Sequence, residues 1–241
     1  MKDALVSKTL AQIVNENYKT ASIFEKYHLD FCCKGKRSLQ VACDEKNLPT
    51  DVIVGEVENV LKQETTSLMD FEKLSLSELV NYIVSTHHAY TKKELPQIFA
   101  YLQKVSSKHG ERHNELHQIF ECFASLKDEM EMHMKKEEHI LFPKIVELEK
   151  GIEKLNQTGL SISVPLSVME DEHEYAGKCM ELIRSLSNDY TPPVDACTTY
   201  RLSFAALEAF ERDLHQHVHL ENNILFPKAI YLFNQRRSIL N

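Results

Sequence analysis

A motif that occurs twice decides the fold of this chain. HMKKEEHILFPK occupies residues 133–144, and HVHLENNILFPK occupies residues 217–228. Both copies begin with a histidine followed four residues later by a glutamate, and both end in Ile-Leu-Phe-Pro-Lys, with an offset of 84 residues throughout. One H-x-x-x-E pattern arises readily by chance in a charged helix. Two copies with matching flanks indicate a duplicated helical unit.

A further histidine precedes each copy by 44 or 45 residues. His88-Ala-Tyr90 lies upstream of the first copy, and His173-Glu-Tyr175 lies upstream of the second. His87 adjoins His88, and each lines up with apolar residues of the same predicted helix, so periodicity alone does not choose between them. The repeated His-x-Tyr pattern favours His88. Each half of the repeat therefore supplies one histidine and then an H-x-x-x-E motif.

Helical geometry predicts that these polar residues converge in a buried core. A residue four positions along an α-helix lies one turn up and about 40° around, so His133 and Glu137 share a face. His217 and Glu221 do likewise. Apolar residues precede both motifs on the same faces: Phe123, Leu126, Met130, Phe210 and Leu214. Polar groups in an apolar core cost roughly several kcal/mol each unless they are paired or bind something, which points to a metal site.

The donor set narrows the choice of metal. The predicted ligands are His88, His133, Glu137, His173, His217 and Glu221. Two histidines per ion, two bridging glutamates and an oxo or hydroxo bridge would give each ion five ligands and one open position. Mixed imidazole and carboxylate ligation with an open position suits non-haem iron, whereas zinc is normally satisfied by four ligands. The sequence predicts two oxo- or hydroxo-bridged non-haem iron ions in a four-helix bundle.

The rest of the chain divides into two all-α parts. Residues 72–241 are predicted to form an up-down-up-down bundle with helices at about Ser75–Lys108, Glu111–Glu149, Pro165–Asn188 and Asp195–Leu232. Residues 1–65 are predicted to form a small helical domain with helices around Thr9–Asn17, Thr20–His28, Ser38–Lys46 and Thr50–Gln63. The segments 63–69 and 151–164 are predicted to be a linker and a loop.

Composition excludes several classes of function. Hydrophobic residues make up 43% and charged residues 27%, as in globular proteins. A net charge of −8 argues against nucleic-acid and anionic-membrane partners. The start shows no apolar signal segment, and no run approaches the roughly 18 apolar residues of a membrane span. We therefore expect a cytoplasmic protein, in which the six cysteines are reduced thiols.

Cys32 and Cys33 form an adjacent pair in a predicted loop. Neighbouring thiols do not readily form a disulfide with each other, and Lys34 and Lys36 would favour thiolates. Two interpretations stay open. One is a redox or iron-transfer role for the two thiols, and the other is a structural pair of small apolar side chains. The other four cysteines are predicted to be ordinary core or helix-surface thiols.

The remaining histidines are predicted to lie outside the ligand set. His113 and His117 lie roughly opposite His133, and His215 and His219 lie about 200° from His217, so these four are expected in solvent. Glu138 is expected to be a surface charge. His109 ends the first bundle helix and is a candidate to support a metal ligand from behind.

These motifs resemble those of the iron–sulfur cluster repair di-iron proteins, the family also called repair of iron centres. The likeness covers nearly the whole chain. Its motifs are Tyr27-His-Leu-Asp-Phe-Cys-Cys-Lys-Gly-Lys36, Glu94-Leu-Pro96, residues 133–143, Ser167-Val-Met-Glu-Asp-Glu-His173 and residues 217–227. A Cys-Cys domain followed by a hemerythrin-like bundle is specific to this family. The resemblance places the ligands on the six residues named above and selects His88 over His87. Lys34 departs from the family's usual Cys-Cys-Gly-Gly loop.

The resemblance implies a homodimeric protein that restores iron–sulfur clusters damaged by oxidative or nitrosative stress. Its partners would be damaged iron–sulfur proteins and small oxidants such as NO, O2 and peroxide. Iron donation is the principal interpretation. The alternatives are an enzyme that reduces nitric oxide at the di-iron centre and a hemerythrin-like sensor or carrier of O2 or NO. True hemerythrins carry H-x-x-x-H where Gly177 follows His173 here, and H-x-x-x-x-D where this chain has H-x-x-x-E. These departures favour donation or chemistry over oxygen carriage.

Overall fold

The computed structural model describes residues 2–62, 69–151 and 162–240. The regular structure of these residues is helical, apart from one isolated bridge between Thr9 and Ser38, which confirms the all-α class. The predicted linker at 63–69 and loop at 151–164 lie largely outside the described residues. Within the described ranges, every helix is too short or too polar to cross a membrane.

Five short helices form the N-terminal segment. They are α1 (Lys2–Ser7), α2 (Leu10–Glu16), α3 (Ala21–Lys26), α4 (Leu39–Glu45) and α5 (Thr50–Lys62). Four of them were predicted from the sequence, and α1 was not. Helix α2 begins with a capping box, in which the Thr9 hydroxyl accepts the Gln12 N–H and the Gln12 side chain accepts the Thr9 N–H. Ser38 caps α4 in the simpler way, by accepting the Val41 N–H.

Four long helices form the bundle, and three of them run through consecutive segments. The first comprises Leu76–Ile83, Val84–His88 and Ala89–His109; the second Glu115–Lys136, Glu137–Leu141 and Phe142–Lys150; the third Ser163–Leu186; the fourth Thr198–Leu220, Glu221–Leu225 and Phe226–Leu240. Each packs against its neighbour in the chain, and the first packs against the fourth. The predicted up-down-up-down bundle is confirmed.

The middle segments of the first, second and fourth bundle helices are π-helical. They are Val84–His88, Glu137–Leu141 and Glu221–Leu225. A π turn accommodates one extra residue, and such turns occur frequently at functional sites. The second and third of these segments are 84 residues apart, so the sequence repeat is also a repeat of backbone geometry. Residue spacing alone predicted uninterrupted α-helices, because one wider hydrogen-bonded turn leaves no distinct pattern of residue types.

Two apolar clusters fill the interior, one toward each end of the bundle. The larger cluster combines residues of the N-terminal segment, such as Phe24 and Val54, with bundle residues such as Leu102 and Phe210. The smaller one, around Phe226, fills the opposite end. The N-terminal segment and the bundle therefore share one apolar core. Their division at residues 65 and 72 stays a prediction.

Candidate metal centre

The structure brings all six predicted ligand side chains together at the junction of the two apolar clusters. His88, His133, Glu137, His173, His217 and Glu221 are all buried, with exposed fractions of 0–2%. Each bundle helix supplies a histidine, and the second and fourth also supply a glutamate, which begins the π turn. The structure places His88 in this cluster and leaves His87 outside it.

The donor atoms form two groups that share both carboxylates. One group is His88 and His217 with Glu137 and Glu221, and the other is His133 and His173 with the same glutamates. Within each group the donor atoms lie within 4.8 Å of one another. The Nε2 atoms of His88 and His217 are 3.1 Å apart, and those of His133 and His173 are 3.0 Å apart. The two groups of donor atoms therefore share the same pair of buried carboxylates.

Unpaired polar atoms in the cluster test whether a metal fits it. Both carboxylate oxygens of Glu137 and the Oε2 atom of Glu221 are buried and make no hydrogen bond. Two carboxylates buried side by side in this state are costly unless cations offset their charge. The available donors are imidazole nitrogens and carboxylate oxygens, which suit iron. The buried His/Glu cluster is therefore compatible with iron binding.

The two buried glutamates favour the protonated form of some of the histidines when no cation is present. Burial disfavours the charged imidazoles, but the Glu137 and Glu221 carboxylates outweigh it and raise the pKa of His88 and of His133 to about 10. His217 differs, because burial dominates there and lowers its pKa. A metal ion must displace the imidazole protons, so metal loading is coupled to proton release.

Three of the histidines are held from behind by a polar side chain on the next bundle helix. The Nδ1 atoms of His88, His133 and His173 lie 2.7, 2.8 and 2.9 Å from Glu138 Oε1, Glu172 Oε2 and Asn222 Oδ1, respectively. Such hydrogen bonds fix the tautomer and aim Nε2 into the centre. Lys92 forms an ion pair with Glu138, and Lys136 forms one with Glu172, so a lysine also holds each of these carboxylates in place.

These supporting residues follow a rule that sequence reasoning missed. Glu138, Glu172 and Asn222 each adjoin a predicted ligand in the chain, and each supports the ligand of the preceding helix. A neighbouring residue points about 100° away around a helix, which directs it toward the next helix. The fourth ligand differs: the His87 ring, next to His88 in the chain, stacks on the His217 ring at 5.7 Å, and His217 Nδ1 has no hydrogen-bond partner. The prediction that Glu138 is a plain surface charge is therefore wrong.

Replacing Asn222 by alanine is expected to weaken iron binding without removing a metal ligand. Loss of the acceptor for His173 Nδ1–H frees that ring to rotate, and outer hydrogen bonds of this kind are worth roughly 10–100-fold in metal affinity. Iron content under competition from a chelator measures the effect. Asn234→Ala is the matched control, since Asn234 is exposed on the same helix. Equal iron retention in both variants would show that Asn222 does not position His173.

Of the four histidines predicted to lie in solvent, His117 is exposed as predicted, whereas the other three are at least half-buried. His219 is buried, its Nε2 atom lies 2.8 Å from Asn15 Oδ1, and burial lowers its pKa to about 4. His215 is half-buried against the Phe31 ring, and His113 is half-buried beside Asp195. Helical periodicity correctly predicted that His215 and His219 point away from the bundle core. It could not show that the N-terminal segment covers this face.

His109 does not support a metal ligand. Its Nε2 atom lies 3.3 Å from Cys197 Sγ, and its ring packs 5.6 Å from the Tyr200 ring. It follows His88 by 21 residues along the first bundle helix, which separates the two by roughly 30 Å. The predicted supporting role is wrong, because a residue at a helix end cannot reach the middle of a long bundle.

The loop that carries Cys32 and Cys33 docks against the bundle beside the centre. Cys33 Sγ lies 3.5 Å from the carbonyl oxygen of His173, and 3.7 Å from the position that a Cβ on Gly177 would occupy. Asn222 donates weakly to the Cys32 carbonyl, at 3.5 Å, so one side chain contacts both this loop and His173. The thiols therefore lie next to the metal centre without belonging to its donor set.

The surroundings of Cys32 raise the pKa of its thiol and so disfavour a thiolate there. The neighbouring Cys33 thiol and burial together raise the pKa of Cys32 well above its ordinary value, with the nearby Asp30 carboxylate adding to the effect. The side chains of Lys34 and Lys36 are exposed, and Lys36 pairs with Glu170. The prediction that the two lysines favour a thiolate fails for Cys32, because the interaction with the Cys33 thiol and burial dominate its pKa.

Two family models match separate stretches of the chain. The family model described as hemerythrin HHE cation binding domain matches residues 79–229, so the bundle is a domain of that class. The model described as a domain of unknown function, DUF542, matches residues 6–61. The hemerythrin-like fold predicted from the sequence is confirmed.

Several curated relatives match nearly the full chain. Iron–sulfur cluster repair protein YtfE of Dickeya chrysanthemi (strain Ech1591) is 35% identical over 88% of this chain and 91% of its own. The protein of the same name from Yersinia pseudotuberculosis serotype IB (strain PB1/+) is 34% identical over the same shares, and that from Musicola paradisiaca (strain Ech703) is 33% identical over 92% and 96%. The chain belongs to the family of these iron–sulfur cluster repair proteins, as its motifs predicted.

Proposed function

We propose that this protein repairs iron–sulfur clusters damaged by oxidative or nitrosative stress, and that it does so by donating iron from a two-iron centre. The observation that carries the proposal is the buried His/Glu cluster, in which oxygens of the two shared carboxylates make no hydrogen bond and face only the imidazoles. The relatives at 33–35% identity are named for iron–sulfur cluster repair. Bound iron would supply a labile, redox-active cation to a damaged cluster.

We propose one ion position at each donor group. His88 and His217 would hold one iron, His133 and His173 would hold the other, and Glu137 and Glu221 would bridge both. Each ion would then have four protein contacts and would keep positions for exogenous ligands. Incomplete protein ligation makes iron easier to release, which suits donation better than storage.

A surface cavity borders the centre on one side. A cavity of about 370 Å³ is lined by the ligand His133 together with Met130, Glu172 and Tyr175. Glu172 is half-buried and pairs with Lys136, and its hydrogen bond to His133 lowers its pKa to about 2. It therefore stays an anion at neutral pH and holds the edge of the centre that faces this cavity. The two thiols of the docked loop are proposed to take part in redox chemistry or iron transfer from a neighbouring position.

Transfer of labelled iron tests the proposal directly. The protein is loaded with a stable iron isotope and mixed anaerobically with an enzyme whose iron–sulfur cluster was damaged by nitric oxide. Recovery of that enzyme's activity, together with appearance of the isotope in its cluster, is the expected result. The metal-free protein and an equal amount of free Fe²⁺ with a chelator are the controls. Formation of N2O without iron transfer would instead identify a nitric oxide reductase.

We further propose that the protein is a homodimer in the cytoplasm. An apolar stripe runs along the outer face of the third bundle helix, and it consists of Val164, Val168, Tyr175 and Leu182, which are 41–62% exposed. Large exposed apolar patches mark interaction sites, and a shared symmetric face would bury this stripe. The six cysteines are free, as a reducing compartment would keep them.

Charge placed on this stripe is expected to convert the dimer into a monomer. Val168→Asp combined with Leu182→Asp would put two like charges at an apolar interface, and sedimentation velocity measures the resulting mass. Leu202→Asp is the control, because Leu202 is equally exposed on the fourth bundle helix, outside the stripe. A dimer that survives the double substitution would mean that this stripe is not the contact.

A further inference from the structure

The described residues contain one group of potential metal ligands besides the buried centre. It comprises Asp30, Cys32 and Cys33, whose donor atoms all lie within 4.8 Å of one another. The two Sγ atoms are 3.9 Å apart, and Cys32 Sγ is 3.3 Å from Asp30 Oδ1. A carboxylate and two thiols are thus already gathered in one short loop.

The loop is held in this shape by contacts with the rest of the protein. Asp30 Oδ1 accepts the N–H groups of Cys32 and Cys33 at 3.1 and 2.9 Å. Asn223 of the fourth bundle helix donates to the Cys32 carbonyl at 2.9 Å. A Cβ at Gly35 would lie 2.2 Å from the Phe31 carbonyl oxygen, so only glycine permits the tight return of the chain. The three ligands are therefore pre-organised.

A cation could reach these ligands from solvent. Asp30, Cys32 and Cys33 line a cavity of about 250 Å³ between the N-terminal segment and the third bundle helix. Acidic and basic side chains line this cavity in equal number, and Glu174 of that helix pairs there with Lys178. Three protein ligands leave further coordination positions toward the cavity, so an ion could both enter and leave.

We propose that Asp30, Cys32 and Cys33 form a separate site for a single divalent cation of borderline softness. Two thiolates and one carboxylate favour ions such as Fe²⁺, Co²⁺ or Zn²⁺ over Mg²⁺ and Ca²⁺. Binding exchanges the two thiol protons for one cation, and both protons pass to solvent. Adjacent cysteines do not readily form a disulfide with each other. Both thiolates can therefore bind the same ion.

This site and the buried centre are neighbours through two contacts. Cys33 Sγ lies 3.5 Å from the His173 carbonyl oxygen, and Asn222 touches both the Cys32 carbonyl and the His173 ring. An ion held by the loop would therefore sit beside one end of the centre. Its use as a transfer position for iron rests on the proposed function, whereas cation binding at the loop does not.

Cobalt binding to the iron-loaded protein tests the site. Anaerobic titration with Co²⁺ alone is expected to give a near-ultraviolet thiolate-to-cobalt band that saturates at one added ion per chain, with the iron content unchanged. Cys32→Ser or Cys33→Ser should each remove about half of the band, because one thiolate is lost. Asp30→Asn keeps an oxygen acceptor for the loop N–H groups but removes the charge, so cobalt affinity should fall at least about tenfold.

Matched variants separate this site from the other thiols and acids. Cys197→Ser removes an exposed thiol elsewhere, and Asp44→Asn removes an exposed carboxylate of the N-terminal segment. Both should bind cobalt like the unaltered protein, and melting temperatures verify that all variants fold. A band that persists without both loop thiols, that disappears in Cys197→Ser, or that is insensitive to Asp30→Asn would overturn the proposal. Cobalt binding is independent of the repair assay, so a failure of either proposal is recognised separately.

Discussion

Replacement of Glu221 by alanine is expected to abolish iron binding at both positions of the centre. Glu221 belongs to both donor groups, and it lies 3.1 Å from His217 Nε2 and 3.0 Å from His173 Nε2. Its removal deletes a bridging ligand and half of the buried negative charge that offsets two cations. The loss should exceed the roughly 10–100-fold in affinity that outer hydrogen bonds contribute. Iron content after iron-replete expression measures the effect.

Stability gives a second readout of the same substitution. Because metal bound only by the folded state stabilises it, iron loading should raise the melting temperature of the unaltered protein. The Glu221→Ala variant should show almost no such rise. Glu208→Ala is the control, since Glu208 is exposed on the same helix. His215→Gln should also keep its iron, because His215 faces Phe31 rather than the centre. Equal iron loss from His215→Gln and Glu221→Ala would contradict the ligand assignment.

Removal of both loop thiols is expected to impair repair while the bundle keeps its iron. Cys32 and Cys33 lie outside both donor groups of the buried centre, so Cys32→Ala with Cys33→Ala should leave iron content unchanged. Repair of a damaged cluster enzyme should become several-fold slower, because the loop would lose the two thiols proposed to take part in redox chemistry or iron transfer. The measurement is isotope transfer from the doubly substituted protein under the conditions of the repair assay.

The control for this experiment is Cys197→Ala, which removes an exposed thiol far from the loop and should repair normally. A melting temperature close to that of the unaltered protein would show that the loop substitutions do not simply unfold the N-terminal segment. Disappearance of bundle iron from a folded double variant would mean that the thiols belong to the centre itself. Unimpaired transfer would assign the pair a structural role.

The sequence by itself determined the bundle and the identity of the residues that meet in its core. The repeat at residues 133–144 and 217–228 marked two helices of one kind, and period-3.6 spacing placed each histidine and its glutamate on one face. The predicted ends at Ser75 and Glu149 lie close to the observed ones, where Ser75 forms a capping box and Gly151 is left-handed. These features are local, because they depend on residues within one or two helical turns of each other.

Tertiary structure alone decided what lies behind and beside the centre. Helical periodicity states which way a side chain points, but it does not state which element faces it. His219 was expected in solvent and is covered by Asn15 of the N-terminal segment, 204 residues earlier in the chain. Glu138 was expected at the surface and supports His88, because the second helix packs against the first.

The position of the Cys-Cys loop is the clearest case of this difference. Its sequence left a reactive and a structural interpretation of the pair open and placed it in a separate small domain, whereas the folded chain docks the loop onto the third and fourth bundle helices. The contact between Cys32 and Asn222 joins residues 190 apart, and that between Cys33 and His173 joins residues 140 apart. Contacts over such separations arise from the shared apolar core of the two parts, which no local pattern of residues encodes.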